Sequence, residues 1–105
     1  MTTVASLTAR EVYQVLKEVA LGVRALRRLS TQSWNEIHTG PMPIEVDRWT
    51  LTLFNNGDTL AYCETATCPA GRTGTLNDWQ RYGTNPVDLL SAWEHRQLEL
   101  MLANL

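Results

Sequence analysis

Cysteine and histidine are the usual ligands of structural zinc sites, and this 105-residue sequence contains two of each. Cys63 and Cys68 are separated by four residues, whereas His38 and His95 lie far from them along the chain. A structural zinc site takes its four ligands from two closely spaced pairs on tight turns, and this sequence has one such pair. We therefore predict no metal site and no cofactor, and we interpret both cysteines as structural or incidental thiols.

Serine, histidine and carboxylate residues are not spaced here as in a known catalytic motif. The sequence has no Gly-x-Ser-x-Gly or His-Glu-x-x-His pattern and no glycine-rich phosphate loop. His95 lies between Glu94 and Arg96, and charged neighbours are typical of a solvated histidine. We therefore predict no catalytic residues and favour a protein that is not an enzyme.

Cationic and aromatic residues near the end of the predicted sheet favour an alternative, in which the protein binds a small ligand or substrate. They are Arg72, Trp79, Arg81 and Tyr82. A cleft between the sheet and residues 66–84 would bring these side chains to a ligand that has both an anionic and an aromatic part. This alternative predicts a small-ligand-binding or enzymatic domain.

Basic residues in the N-terminal third form the most regular charge pattern of the sequence. They are Arg10, Lys17, Arg24 and Arg28, at spacings of seven, seven and four, with Arg27 beside them. If one helix continues past Gly22, these residues lie on a stripe nearly opposite its apolar face. Arg24, Arg27 and Arg28 are then candidate contacts for an acidic protein partner, unless the stripe is simply the solvated face of the helix.

Composition narrows the class of protein and of partner. With 44% hydrophobic and 19% charged residues, the chain can bury enough apolar surface to fold as one domain, 1–105, in which we expect residues 1–6 to be flexible. Its formal net charge of −2 argues against a nucleic-acid-binding protein, which needs basic residues to neutralise phosphates. The sequence has neither an apolar run of roughly 20 residues nor the pattern of a signal peptide. We therefore expect a cytoplasmic protein without membrane contact.

A capping box predicts the first helix. The Thr8 hydroxyl and the Glu11 carboxylate can each accept a hydrogen bond from the other residue's amide, so the helix should begin directly after the threonine. Its apolar residues recur every three or four positions and predict a stripe that faces the core: Val12, Val15, Leu16, Val19, Val23 and Leu26. The stripe crosses Gly22, so the helix either ends at Leu21, with Gly22 as its C-terminal glycine, or continues to about Arg28. We favour the longer helix.

From Trp34 onward the apolar period changes from that of a helix to that of strands. The predicted strands are Trp34–His38, Ile44–Val46, Trp49–Phe54 and Thr59–Thr65. An Asn-Gly pair predicts a hairpin turn between the last two, and residues 69–77 are predicted to be an exposed loop. Asn85 as N-cap and Pro86 at the first helical position then begin the last helix. The predicted fold is α+β: an N-terminal helix, an antiparallel meander of three to four strands and a C-terminal helix.

The last helix has more apolar surface than one sheet face requires. A packed helix needs an apolar stripe about 100° wide. The apolar residues here extend further around the helix: Leu89, Leu90, Trp93, Leu98, Leu100, Met101, Leu102 and Leu105. Either the final turn frays, or the surplus is buried against a second copy of the chain. We predict a homodimer in which Leu100 and Leu105 are contact residues.

Three segments resemble a small bacterial protein family of unknown function. They are Leu7–Tyr13; Leu53-Phe54-Asn55 with Asp58-Thr59-Leu60 and Tyr62-Cys63; and Gly83-Thr84 with Pro86 and Leu89-Leu90-Ser91. The resemblance implies a stand-alone bacterial protein, and it implies no site residue because the family has no assigned activity. The small size, the missing catalytic motif and the surplus apolar surface favour a non-enzymatic protein-interaction or regulatory module.

Overall fold

A computed structural model describes residues 6–105 of the chain. Its helices are α1 (Ala9–Ala20), α2 (Trp34–Ile37), α3 (Leu76–Gln80) and α4 (Ala92–Ala103), and a 3₁₀ helix spans Pro86–Leu89. Its strands are β1 (Leu26–Arg28), β2 (Thr39–Val46), β3 (Trp49–Asn56), β4 (Thr59–Thr67) and β5 (Thr73–Thr75). The predicted α+β fold is confirmed, although the described residues form five strands rather than three to four. The expected flexibility of residues 1–6 falls, except for Ser6, outside the described residues.

The strands form one sheet in the order β1-β2-β3-β4-β5, and each is antiparallel to the next. This order confirms the predicted meander. Alternate residues of β2 and β3 point into the core, as the two-residue period of a strand requires. They are Met42, Ile44, Val46, Leu51 and Leu53, all fully buried. These side chains share one hydrophobic cluster with the buried residues of α1 and α4, so both helices pack on the same face of the sheet.

α1 ends before Gly22, so the longer helix is wrong and the helix that ends near Leu21 is confirmed. The Val23 amide donates to the Glu18 carbonyl at 2.8 Å, and the Gly22 amide donates to the Val19 carbonyl at 3.0 Å. These two bonds form a Schellman motif, which requires a positive φ at the residue after the cap, and Gly22 has a φ of +80°. The chain then turns back and forms β1 at the edge of the sheet.

The predicted strand Trp34–His38 is wrong, because residues 34–37 form α2 and His38 is its C-cap. Ser33 and Glu36 form a capping box at the beginning of this helix, a signal that outweighs the short alternation of apolar residues. Trp34 is 1% exposed, and its carbonyl accepts a hydrogen bond from the buried Asn55 Nδ2 at 2.8 Å. The core therefore holds α2 against the end of β3.

Two elements of the C-terminal half also differ from the prediction. Residues 69–77, predicted as an exposed loop, contain β5 and the beginning of α3, which Thr75 caps. Asn85 and Pro86 begin a 3₁₀ helix of four residues instead of the last helix. α4 begins only after Ser91, which caps it together with a carboxylate three residues later. Both α3 and α4 therefore begin at capping boxes, which the apolar pattern does not reveal.

The side chain of Asn85 covers part of the outer edge of β4, where β5 pairs only with Thr65–Thr67. Its Nδ2 donates to the Cys63 carbonyl at 3.0 Å, and its Oδ1 accepts from the Cys63 amide at 3.0 Å. The same Oδ1 accepts from the Val87 amide at 3.1 Å and so caps the 3₁₀ helix. The Asn85 side chain thus makes the two hydrogen bonds to Cys63 that one residue of a neighbouring strand would otherwise make.

Two side chains of α4 cover the backbone of Leu60 in the same way. The Leu60 amide donates to Glu99 Oε2 at 2.9 Å, and His95 Nε2–H donates to the Leu60 carbonyl at 2.7 Å. The side chains of His95 and Glu99 are only 29% and 16% exposed. The interpretation of His95 as a solvated histidine is therefore wrong, because this residue attaches α4 to the edge of the sheet.

Replacing Asn85 by alanine should destabilise the fold. Asn85→Ala leaves the amide and the carbonyl of the buried Cys63 without partners, and each unpaired buried group costs about 1–3 kcal/mol. We expect the free energy of unfolding, measured by urea denaturation, to fall by more than about 2 kcal/mol. As a control, Asn35→Ala changes an exposed residue of α2 and should alter the free energy of unfolding by less than about 0.5 kcal/mol. Equal stability of the Asn85 variant and the wild type would contradict this role of the amide.

Candidate functional site

α1 and α4 lie side by side; one groove lies at the beginning of α1 and another lies between the C-terminal ends of the two helices. At the N-terminal end of α1, a groove of about 620 Å³ lies between residues 6–10 and residues 78–84, with Leu89 beside them; we call it the N-terminal groove. Near the C-terminal ends of α1 and α4, a groove of about 490 Å³ lies between residues 22–26 and residues 97–105; we call it the C-terminal groove. Both volumes fall in the range of small-molecule sites, about 300–1,000 Å³.

Three of the four residues predicted to form a ligand cleft line the N-terminal groove. Trp79 is 2% exposed and forms part of its floor, whereas Arg81 and Tyr82 are exposed at its rim. Arg10, on the first turn of α1, lines the same groove. The sequence pattern placed Arg10 in a helical stripe, and only the fold brings it to the same groove as Arg81.

The floor of the N-terminal groove is fixed by tertiary contacts. Trp79 Nε1 donates to the Leu7 carbonyl at 3.0 Å, and the Leu7 amide donates to the Thr73 carbonyl at 2.8 Å. Gly74 packs against Trp79 and Leu7. A Cβ added to this glycine would lie 2.9 Å from Trp79 Cζ2 and 2.9 Å from the Leu7 carbonyl oxygen. The indole has no room to shift towards β5, so the floor is formed before any ligand arrives.

Arg72, the fourth predicted ligand residue, is not among the residues that line this groove. Its guanidinium donates to the two Glu11 oxygens at 2.8 and 3.0 Å and to the Ser6 carbonyl at 3.2 Å. Glu11 also accepts from the Thr8 amide at 3.0 Å. The guanidinium, followed by this amide, lowers the pKa of Glu11, and the carboxylate raises the pKa of Arg72. Arg72 therefore stabilises the beginning of α1.

The C-terminal groove brings together three of the five residues predicted to contact a protein partner, Arg24, Leu100 and Leu105. Arg24 is engaged within the chain, because its Nε lies 3.0 Å from Glu18 Oε1 and its Nη1 lies 3.7 Å from Asp47 Oδ2. This part of the groove is therefore a mixture of apolar side chains and internal ion pairs.

The other two predicted contacts, Arg27 and Arg28, lie on β1. The basic stripe on one helix is therefore wrong, because the Schellman motif at Gly22 ends α1 before these residues. Arg27 Nη1 lies 3.6 Å from Glu45 Oε1 on the neighbouring strand, and the Arg28 side chain is exposed. The two arginines belong to an edge strand rather than to a helical surface.

α4 carries apolar residues on both its buried side and its solvent side. Leu98 and Leu102 are 1% and 0% exposed, but Trp93 and Leu100 are 57% and 47% exposed. Leu105, the other predicted dimer contact, is half-buried and packs against the core. The sequence analysis counted Trp93 within the wide apolar surface of this helix but chose only Leu100 and Leu105 as contact residues, so the exposed position of this tryptophan was missed.

Cysteine and histidine side chains are not gathered into a metal site among residues 6–105, where no three residues of the types His, Cys, Asp and Glu form a suitable group. Cys63 and Cys68 are buried free thiols. Burial raises the pKa of the Cys63 thiol, whose Sγ lies 3.3 Å from the Thr65 carbonyl oxygen. His38 is exposed, with its Nδ1 3.5 Å from Asp58 Oδ2.

Comparison with protein-family models matches residues 6–104 to one family, described as Domain of unknown function (DUF7693). The match agrees with the family of unknown function that the sequence motifs resemble. No curated protein and no solved structure matches the chain. Within the described residues, no helix has the length and apolar character needed to cross a membrane.

The Arg72–Glu11 pair should make stability depend on pH in the acid range. Because the pKa of Glu11 is lower in the folded protein than its usual 4.5, its contribution is fully present above that value and is lost as the pH falls through the folded pKa. Glu11→Gln keeps an oxygen for the Thr8 amide but removes the charge that faces Arg72. Both side chains of the pair are 32–37% exposed, so the variant should lose up to about 1 kcal/mol at pH 7.

Denaturation of the wild type and Glu11→Gln at pH values from 3 to 7 measures this effect. The difference in stability should shrink below pH 4.5, and Arg72→Gln should show the same behaviour. A stability difference that stays constant over the whole range would show that the charge of Glu11 contributes nothing.

The Cys63 thiol should be inert in the folded protein. Cys63 is 0% exposed and Cys68 is 9% exposed, and a thiol must reach the surface as a thiolate to react. An aromatic disulfide reagent at pH 8, followed by mass spectrometry, should modify Cys68 first and Cys63 only as the protein unfolds. Both thiols should react at once in urea, and equally fast reaction of both without urea would contradict the burial of Cys63.

Proposed function

The chain belongs to the DUF7693 family, whose function is unknown, and we propose that it is a non-enzymatic protein-interaction or regulatory module. The module acts in the bacterial cytoplasm, a setting supported by the resemblance of its motifs to a bacterial family. It forms a homodimer, and α4 makes the contact. The observation that carries this proposal is the exposure of Trp93 and Leu100 on the solvent side of α4.

The solvent side of α4 has the composition of an interface core. Trp93, Gln97, Leu100 and Asn104 follow one another at spacings of four, three and four residues, so they lie along one side of the helix. We call these four residues the α4 strip. None of them is charged, and interface cores are poor in charged residues and rich in tryptophan.

A two-fold axis near the middle of the α4 strip makes it self-complementary. In an antiparallel pair of helices with the axis near Gln97, Trp93 of one copy packs against Leu100 of the other, and the contact occurs twice. Gln97 then meets its own copy, and an amide side chain can donate and accept at the same time. Each pair removes apolar surface from water, which stabilises the dimer by about 25 cal/mol per Å².

The arginines favour self-association over an acidic partner. Arg24 pairs with Glu18 and Arg27 pairs with Glu45, so two of the three predicted contacts for an acidic partner have acidic neighbours in their own chain. By contrast, Trp93 and Leu100 of the α4 strip remain about half exposed to solvent within the described residues. The strip is therefore the surface that gains most from a second copy.

Sedimentation equilibrium at micromolar concentration tests the homodimer. We expect the wild type to be a dimer and the double variant Trp93→Glu, Leu100→Glu to be a folded monomer, because four buried carboxylates would face one another across the axis. Both positions are about half exposed, so the change should leave the circular-dichroism spectrum intact.

Leu29→Glu provides the matched control. Leu29 is also an exposed leucine, with 42% of its surface accessible, but it lies beyond β1. This variant should remain a dimer. A wild type that stays monomeric at high concentration, or a double variant that still dimerises, would rule out the α4 contact.

A further inference from the structure

The N-terminal groove carries two cations that no acidic side chain of the described residues neutralises. Arg10 and Arg81 line it and are exposed, and neither makes an ion pair or a side-chain hydrogen bond within residues 6–105. Asp78 also lines the groove, but its Oδ2 accepts from the amide and from the hydroxyl of Thr75, both at 3.1 Å. This carboxylate is turned to the cap of α3, so positive charge prevails in the groove.

Apolar and aromatic side chains lie next to these cations. Leu7 and Trp79 are 1% and 2% exposed, and together with Leu89 they line the inner part of the groove. Tyr82 follows Arg81 directly, and 82% of its surface is accessible. An aromatic ring exposed at the rim of a cavity can stack on a flat ligand, and burial of its face lowers the free energy of the complex.

We infer that the N-terminal groove binds a small aromatic anion. Its ring lies against Tyr82 and the apolar inner wall, and its carboxylate or phosphate lies between Arg10 and Arg81. A guanidinium offers paired N–H groups that match either head group with two hydrogen bonds. The hydrogen bond from Trp79 to Leu7 holds the floor of the groove in place without ligand, so binding does not require the floor to be rearranged.

This site differs from the cleft predicted from the sequence in one cation. Arg10 takes the place of Arg72, whose guanidinium is bound to Glu11. None of the four residues of the α4 strip lines the N-terminal groove. Ligand binding and dimerisation therefore depend on different residues, and an experiment that contradicts one proposal does not contradict the other.

A titration of ¹⁵N-labelled protein followed by NMR tests the inference with three probes: phenylacetate, phenyl phosphate and phenylacetamide. The amide has the ring and size of phenylacetate without its charge, which makes it the matched control. We expect at least one of the two anions to shift the indole N–H signal of Trp79 and the backbone amides of residues 6–10 and 78–84. Phenylacetamide should bind at least about tenfold more weakly, and the tighter of the two anions identifies the head group.

Three single variants test the cations. Arg10→Gln and Arg81→Gln should each weaken binding of the anion about tenfold, whereas Arg28→Gln, which removes an exposed arginine of β1, should leave it unchanged. The dispersion of each variant's spectrum reports that it is folded. The inference is overturned if no probe shifts these signals at millimolar concentration, if phenylacetamide binds as tightly as the anions, or if both groove variants bind like the wild type.

Discussion

The outer edge of β4 has backbone donors and acceptors that no neighbouring strand satisfies before Thr65. A buried amide or carbonyl without a partner costs more than most single contacts contribute, so this edge must be covered. The Asn85 side chain forms hydrogen bonds with the backbone of Cys63, and the side chains of His95 and Glu99 form them with the backbone of Leu60. These bonds attach the 3₁₀ helix and α4 to this edge, and the shared hydrophobic cluster keeps α4 on the same face of the sheet as α1.

The N-terminal half is attached by a second set of polar contacts. Arg72, directly before β5, binds Glu11 at the beginning of α1, and Trp79 of α3 donates to the Leu7 carbonyl. The ion pair itself contributes little, because both of its side chains are partly solvated. Its position matters more, since it holds the beginning of α1 against the turn before β5, beside the residues 6–10 that line the N-terminal groove.

Two surfaces of different chemistry result. The α4 strip is uncharged and contains an exposed tryptophan, which suits contact with a second copy of the chain. The N-terminal groove combines Arg10 and Arg81 with an exposed tyrosine, which suits a small aromatic anion. Both surfaces are proposals that stand on different residues. If both hold, a dimeric module that responds to a small molecule becomes the simplest regulatory device that this fold can form, provided that the sites are coupled.

Local signals in the sequence determined the class of the fold and the beginning of α1, because a capping box such as that of Thr8 and Glu11 acts within one helical turn. Local signals also marked the end of α1 at Gly22 and the beginning of α2 at Ser33. Apolar periodicity instead predicted a longer first helix and a strand at Trp34–His38. The meeting of Arg72 with Glu11, 61 residues apart, was decided only by the tertiary structure. So was the exposure of Trp93 and the presence of Arg10 and Arg81 at one groove. Periodicity shows which residues share a face, but which face is covered depends on elements that are distant in the chain.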